Sequence, residues 1–122
     1  MFDWNGKGLS LGNLKVKAPI VQGGMGVGVS GFRLASAVAN EGGVGVISAV
    51  GLGFMGRSLT DESLKELSER TGETMNITML RQEIRKAKAL TKGVLGVNIM
   101  VAISEFAETA KAAVEEGIDI IF

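Results

Sequence analysis

Residues 18–48 read APIVQGGMGVGVSGFRLASAVANEGGVGVIS, which places a helical pattern between two apolar runs. The first run, residues 18–22, is short and ends at a pair of glycines, so it predicts a strand. Residues 31–41 carry apolar side chains at helical spacing, and Ser30 is in position to cap this helix. Residues 44–48 predict a second buried strand. The stretch therefore indicates a β-α-β unit.

The same alternation continues to the last residue. Short amphipathic helices are predicted over residues 61–70 and 78–92, followed by a strand over 94–100. Ser104 is expected to cap a helix that runs through Glu116, and residues 118–122 predict a fourth strand. Apolar strands that alternate with helices indicate an α/β fold with a parallel sheet covered on both faces. An open doubly wound sheet and half of a (β/α)8 barrel both fit this order.

Composition excludes several classes of protein. The 122 residues include 18 Gly but no Cys and no His, and 13 Lys and Arg balance 13 Asp and Glu. A disulfide scaffold, most structural zinc sites and any histidine-based triad are therefore excluded within this chain. Zero net charge argues against a nucleic-acid partner. With neither a signal peptide nor a long apolar run, we expect a soluble, cytoplasmic chain without metal or membrane association.

The glycine cluster after the first strand suggests a ligand. Gly26, Gly28 and Gly31 satisfy the G-x-G-x-x-G pattern of dinucleotide-binding folds. That fingerprint also requires an acid at the end of the second strand, where this chain has Ser48 followed by apolar residues. Glycine is entropically costly, so its density at the carboxyl end of a strand favours a flat group lying on bare backbone. Tight turns and close helix packing are the structural alternative.

The segment between the second and third strands, residues 49–93, is longer than a simple crossover needs. It begins with a glycine-rich stretch, predicted to be a mobile loop, that contains Leu52, Phe54 and Met55. The loop is either a lid over a ligand or a surface excursion whose apolar residues pack on a neighbouring helix. The charged residues of the predicted helix 78–92 indicate a solvated face: Arg81, Glu83, Arg85, Lys86 and Lys88.

Four segments together resemble the nitronate monooxygenase family, formerly called 2-nitropropane dioxygenases, and the related flavin-dependent enoyl-acyl-carrier-protein reductases. The resemblance extends over about residues 13–122. Members are FMN-binding (β/α)8 TIM barrels, so the resemblance implies that residues 1–122 are the N-terminal half of one barrel domain, truncated after the fourth strand. The segments are PIVQGGMG (19–26), LASAVA (34–39), GGVGVI (42–47) and GVNIM (96–100).

The resemblance also implies a cofactor site. The loop glycines and Met25 would lie beside the isoalloxazine ring, and the Asn98 amide would hydrogen-bond to it. From the residues alone, core packing is the more common role for a methionine such as Met25, and an amide within an apolar strand needs a partner of some kind. Gln22 and Ser48 end inner strands and are additional candidates. The candidate FMN-binding residues are therefore Gln22, Gly24, Met25, Gly26, Ser48 and Asn98.

The implied reaction is oxidation of a nitronate, with FMN passing the electrons to dioxygen. One alternative is NAD(P)H-dependent reduction of an enoyl thioester through the same flavin. A barrel of the inosine-monophosphate dehydrogenase type would need a catalytic Cys, which the chain lacks. A flavin-binding or purely structural half-barrel without turnover is a non-enzymatic alternative.

No catalytic residue is assigned. The family's catalytic histidine lies beyond the fourth strand and its phosphate-binding glycines lie late in the barrel, so both fall outside this chain. We therefore expect residues 1–122 alone to be inactive and to bind FMN weakly. A half-barrel exposes strand edges, so association into a homodimer that rebuilds a closed structure stays an open alternative.

Overall fold

The computed structural model describes residues 5–54 and 61–122, which form a mixed α/β structure with a parallel sheet. The strands are β1 (Leu9–Leu11), β2 (Leu14–Val16), β3 (Gly45–Ser48), β4 (Leu95–Asn98) and β5 (Ile120–Ile121). The helices are α1 (Phe32–Asn40), α2 (Glu62–Thr71), α3 (Met75–Leu90) and α4 (Phe106–Glu115), and a short 3-10 helix spans Leu52–Phe54. The predicted α/β class is confirmed.

The parallel sheet has the order β3-β4-β5, with Ser48 opposite Asn98 and Gly96 opposite Ile120. Neighbouring strands follow chain order, so the described strands contain no reversal of the kind that creates a switch point in doubly wound sheets. The predicted first strand is shortened to a single parallel bridge between Val21 and Val44. The Ile20 amide donates to the Ala18 carbonyl within a tight local turn, so regular pairing cannot start earlier.

An antiparallel hairpin of β1 and β2 precedes this sheet and was not predicted. Its apolar residues alternate along two three-residue strands, and Gly12 turns between them with φ +57°. Val16 packs with Val44 and Val46 of the sheet, whereas Ile47 packs among the helices. Successive side chains of a strand point to opposite faces. The hairpin and the helices therefore cover different faces, and we call the hairpin side the inner face.

The core lies between the sheet and the helices. Ile47 and Val97 of the sheet and Leu80 and Ile84 of α3 are completely buried there. Helix α1 lies so close to β3 that a Cβ atom at Gly45 would overlap the Ala35 carbonyl oxygen. Only glycine is compatible with this approach.

The predicted caps of α1 and α4 are wrong. Gly31 is the N-cap of α1, and Glu105 is the N-cap of α4; neither helix has a side-chain cap bond. At α1 the Phe32 amide donates to the Glu83 carboxylate on α3 over 2.7 Å, so a distant side chain replaces the local cap. Ser30 uses its hydroxyl elsewhere, as described below.

Helix α3 also differs from its prediction. It begins at Met75 rather than Thr78, because the Thr74 hydroxyl accepts a hydrogen bond from the Ile77 amide. Glu83 is buried, which contradicts its place on a solvated face.

Arg81 is likewise not part of a solvated face, because its side chain is only 18% exposed and binds carboxylates around α4. Its guanidinium forms paired hydrogen bonds to Glu73 and further ion pairs to Glu115 and Glu116. Arg85 joins the same cluster through Glu116 at 2.6 Å, although its side chain stays largely exposed. These contacts fasten α3 to α4, so the charges do more than solvate a helix.

The glycine-rich stretch after β3 is ordered where the structure describes it. Leu52 is completely buried in the main core, which favours the packed excursion over a lid for this residue. The Asn76 side chain donates to the Ala49 carbonyl over 2.9 Å and accepts from the Gly53 amide over 3.2 Å. Met55 and the side chain of Phe54 lie outside the described part of the chain.

Candidate functional site at the carboxyl edge of the sheet

Ser48 and Asn98 end adjacent strands and are opposite each other in the sheet register. Strand alternation puts both side chains on the inner face. The loop that follows Val21 reaches the same edge: a Cβ atom at Gly24 would lie 2.7 Å from the Asn98 Cβ, and one at Gly26 would lie 3.3 Å from the Val50 carbonyl oxygen. Ligands of parallel α/β folds bind at this end of the strands. We call Gly24, Met25, Gly26, Ser48 and Asn98 the carboxyl-edge site.

The Asn98 side chain is available for a ligand. Its backbone carbonyl accepts a hydrogen bond from the Ala49 amide over 3.0 Å. Its carboxamide is half-buried and makes no hydrogen bond to any other residue in the ranges 5–54 and 61–122. A carboxamide offers two donor hydrogens and an acceptor oxygen. Asn98 can therefore read the polar edge of a flat ring.

Gln22 is engaged within the fold. Its Oε1 accepts from the Val46 amide over 3.1 Å, while its Nε2 donates to the Val46 carbonyl over 3.0 Å and to the Ser30 hydroxyl over 3.1 Å. The Gln22 side chain thus adds hydrogen bonds between residues 18–22 and β3 beyond the point where their backbone pairing ends. Both donor hydrogens are used, which favours a structural role for Gln22 over direct contact with a ligand.

The backbone of Met25 is hydrogen-bonded within the loop, whereas its side chain lies at the surface. Its amide donates to the Ser30 hydroxyl over 2.9 Å, and its carbonyl accepts from the Ser30 amide over 3.0 Å. Its side chain is 49% exposed. The main chain of Gly24 makes no hydrogen bond among the described residues. The groups free to meet a ligand are therefore the Gly24 backbone and the Met25 side chain, rather than the Met25 backbone.

Ser48 lies deeper than the other candidates. It is buried at 2% exposure, and its amide donates to the Ser30 carbonyl over 3.0 Å. This bond ties the end of β3 to the glycine-rich loop. Ser48 therefore forms the floor of the carboxyl-edge site next to Asn98.

The glycine-rich loop also contains an unusual backbone conformation that the sequence did not indicate. Val27 has φ +54° and Gly28 has φ +74°. A β-branched residue in the left-handed region is strained, at a cost of about 1–3 kcal/mol. The Val27 amide donates to the Val50 carbonyl over 2.8 Å, so the turn is held against the segment that follows β3.

The start of α1 is occupied by a carboxylate. A Cβ atom at Gly31 would lie 2.9 Å from the Glu83 Oε2 atom, so this glycine gives space to the Glu83 side chain. In a dinucleotide fold the pyrophosphate would lie at this helix N-terminus. A cavity of about 520 Å³ opens beside it, and its lining includes Glu83 and Asp61 as well as Arg33 and Lys86. The Phe32 amide, one of those to which the fingerprint's phosphate would bind, is already paired with Glu83.

Comparison with known proteins agrees with the resemblance. A family model described as nitronate monooxygenase matches residues 9–119. This chain belongs to the nitronate monooxygenase family. The matched range includes the whole carboxyl-edge site, and members of the nitronate monooxygenase family are generally flavin-dependent.

A curated relative has a different named activity. It is the (3aS,4S,5R,7aS)-5-hydroxy-7a-methyl-1-oxo-octahydro-1H-indene-4-carboxyl-CoA dehydrogenase of Mycobacterium tuberculosis (strain ATCC 25618 / H37Rv). The two are 30% identical over 103 residues, which cover 84% of this chain and 22% of the relative. The chain therefore spans about a fifth of the length of the relative that it matches.

The described residues also lack two other features. None of their helices has the length and apolar character needed to cross a membrane. Within the same ranges, no cluster of three or more Asp or Glu side chains could hold a metal ion.

Proposed function

We propose that this chain is the N-terminal part of an FMN-binding (β/α)8 barrel and that its carboxyl-edge site contacts the flavin ring. The observation that carries this proposal is the unpaired Gly24 backbone lying against the Asn98 carboxamide, which has no hydrogen-bond partner among the described residues. The chain-order arrangement of the parallel strands and the family membership support the barrel. The strand order and the family membership therefore support the barrel independently of the proposed contacts with the flavin.

The residues present fit one edge of a flavin. The absent Cβ atoms of Gly24 and Gly26 let the loop pack closely against Asn98 and Val50. This packing brings the unpaired Gly24 main chain next to the Asn98 carboxamide, and both can hydrogen-bond to the polar edge of a flat ring. The half-exposed Met25 side chain can pack on the ring face. FMN, when bound, would supply the two-electron redox chemistry, while these residues bind the ring, orient it and exclude water from one side.

The carboxyl-edge site does not provide a place for the FMN phosphate, because none of its residues is a cation. At the N-terminus of α1 the Phe32 amide is already paired with Glu83. We therefore expect the 122-residue chain to bind FMN more weakly than about 1 μM. Fluorescence titration measures this affinity, and micromolar or tighter binding would show that this half holds the phosphate as well.

The reaction that we propose is oxidation of a nitronate with dioxygen, as the family description suggests. A second candidate is NAD(P)H-dependent reduction of an enoyl thioester, and one observation favours it: the relative described above is named as a dehydrogenase of a CoA thioester. Oxygen uptake with a nitronate and NAD(P)H loss with an enoyl thioester distinguish the two. Both assays require the protein encoded by the complete reading frame.

The first experiment is to sequence the gene beyond codon 122. We expect the frame to continue for about another half-barrel and to encode a histidine and a late glycine-rich phosphate loop. A stop codon directly after Phe122 would contradict the catalytic proposal for this chain. An inactive half-barrel, alone or as a homodimer in the cytoplasm, would then be the better account, and its mass in solution would decide between the two forms.

A further inference from the structure

Ser30 is completely buried at the centre of the glycine-rich loop. Its hydroxyl accepts from the Met25 amide over 2.9 Å and from the Gln22 Nε2 over 3.1 Å, and it donates to the Gly23 carbonyl over 3.3 Å. A serine hydroxyl has one donor hydrogen and two acceptor lone pairs. Its hydrogen-bonding capacity is therefore fully used within the loop.

The Ser30 main chain is connected to the same region. Its amide donates to the Met25 carbonyl, and its carbonyl accepts from the Ser48 amide, each over 3.0 Å. Ser30 thus joins the turn at Met25, the side chain of Gln22 and the end of β3. Because Ser30 is completely buried, it contacts these residues from the interior of the protein and does not reach the surface that a cofactor would meet.

The usual role for a serine at this position, capping the following helix, is not the role that Ser30 has. Gly31 is the N-cap of α1, and the Phe32 amide is paired with Glu83. This distant cap leaves the Ser30 hydroxyl for the loop. The loop would otherwise contain an unpaired Met25 amide next to several conformationally free glycines.

We propose that Ser30 is a positioning residue that holds the main chain of residues 23–26 in the conformation that places Gly24 against Asn98. Its effect on the cofactor rests on the proposed flavin site, but its effect on the loop does not. Removing the hydroxyl leaves the Met25 amide and one Gln22 hydrogen without a partner. The loop then samples other conformations, and the conformation that places Gly24 against Asn98 is populated for a smaller fraction of the time.

The test compares Ser30→Ala with Ser36→Ala. Ser36 is a matched control because it is also buried, lies one turn into α1 and uses its hydroxyl only to donate to the Arg33 carbonyl over 3.1 Å. Both variants lose the same atom, so an effect of general destabilisation appears in both. An effect specific to the loop appears in Ser30→Ala alone.

The first measurement is amide hydrogen exchange in the flavin-free protein from the complete reading frame. We expect the Met25 amide to exchange about tenfold faster in Ser30→Ala and at the wild-type rate in Ser36→Ala. Equal rates in all three proteins would overturn the positioning role. This result does not depend on whether the protein binds FMN.

The second measurement is FMN affinity and the visible spectrum of the bound flavin, in the protein from the complete reading frame. We expect Ser30→Ala to weaken binding about tenfold and to shift the flavin spectrum, with Ser36→Ala unchanged. Faster Met25 exchange with unchanged affinity would overturn the link to the cofactor. Failure of the wild-type protein to bind FMN would instead refute the proposed function, while the exchange result would still decide the loop's dependence on Ser30.

Discussion

The Glu83 carboxylate accepts a hydrogen bond of 2.7 Å from the Phe32 amide, although the two residues are 51 positions apart. Helix N-termini leave backbone amides unpaired and carry partial positive charge. A buried carboxylate from α3 therefore both caps α1 and lies in a favourable field. The same contact leaves the Ser30 hydroxyl available to the glycine-rich loop.

Loss of this long-range cap should destabilise the protein. We expect Glu83→Ala to lower the free energy of unfolding by about 1–3 kcal/mol, because the Phe32 amide loses its partner at a buried site. Glu83→Gln keeps an acceptor and should lose less. Urea unfolding measures the change, with Glu66→Ala on an exposed face of α2 as control. Equal midpoints for Glu83→Ala and Glu66→Ala would contradict the cap.

The two carboxamides near the site should respond differently to truncation. Asn98→Ala should leave thermal stability nearly unchanged, since its carboxamide has no hydrogen bond among the described residues. It should weaken FMN binding tenfold or more, about 1.4 kcal/mol. Gln22→Ala should lower stability by about 1–3 kcal/mol because it leaves the Val46 amide and carbonyl unpaired. Thermal unfolding and flavin titration of both variants test the contrast. An Asn98→Ala protein with wild-type affinity would argue against the site.

Acid should weaken the contact between α3 and α4. Hydrogen bonds from Arg85, and then from Arg81, hold the pKa of Glu116 below its ordinary value of 4.5. The folded state therefore binds this proton less readily than the unfolded state, and the resulting stabilisation is full above the unfolded pKa and disappears as the pH falls through the folded pKa.

We accordingly expect the free energy of unfolding to decrease below about pH 4.5, and to do so less steeply in Glu116→Gln than in the wild type. Denaturant unfolding between neutral and acidic pH measures the slopes, with Glu66→Gln as the exposed control. If the Glu116→Gln and wild-type slopes coincide, the ion pairs contribute nothing to acid sensitivity.

One buried hydroxyl should be dispensable. Thr109 is completely buried on α4, and its Oγ1 has no hydrogen-bond partner among the described residues. Thr109→Val removes this unpaired group with little change of shape, so it should raise the free energy of unfolding by about 1 kcal/mol. Thr91→Val is the control with the opposite expected effect, because the Thr91 hydroxyl accepts a hydrogen bond from the Gly93 amide over 2.9 Å. Thermal unfolding should rank Thr109→Val above wild type and Thr91→Val below it.

The sequence by itself determined the order of the helices and parallel strands from α1 onward, and the sheet edge at which Ser48 and Asn98 meet. Apolar periodicity located α1, β3, β4 and α4 to within a few residues, because these elements bury continuous or one-sided apolar surfaces. Parallel strands joined by helices bring their carboxyl ends to one edge, so Ser48 and Asn98 could be expected to meet there. The family resemblance rested on the same residues, and the family model confirmed it.

Only the tertiary structure decided how each polar group is used. The sequence assigned Ser30 to a helix cap and Glu83 to solvent, whereas the structure pairs them with the Met25 and Phe32 amides. The sequence also made Gln22 a candidate for ligand contact and did not indicate its two hydrogen bonds to the Val46 backbone. Hydrophobic burial is periodic along the chain and can be read locally. A hydrogen bond depends on which donor and acceptor meet within about 3 Å, and at these sites the packing of distant elements determines the partners.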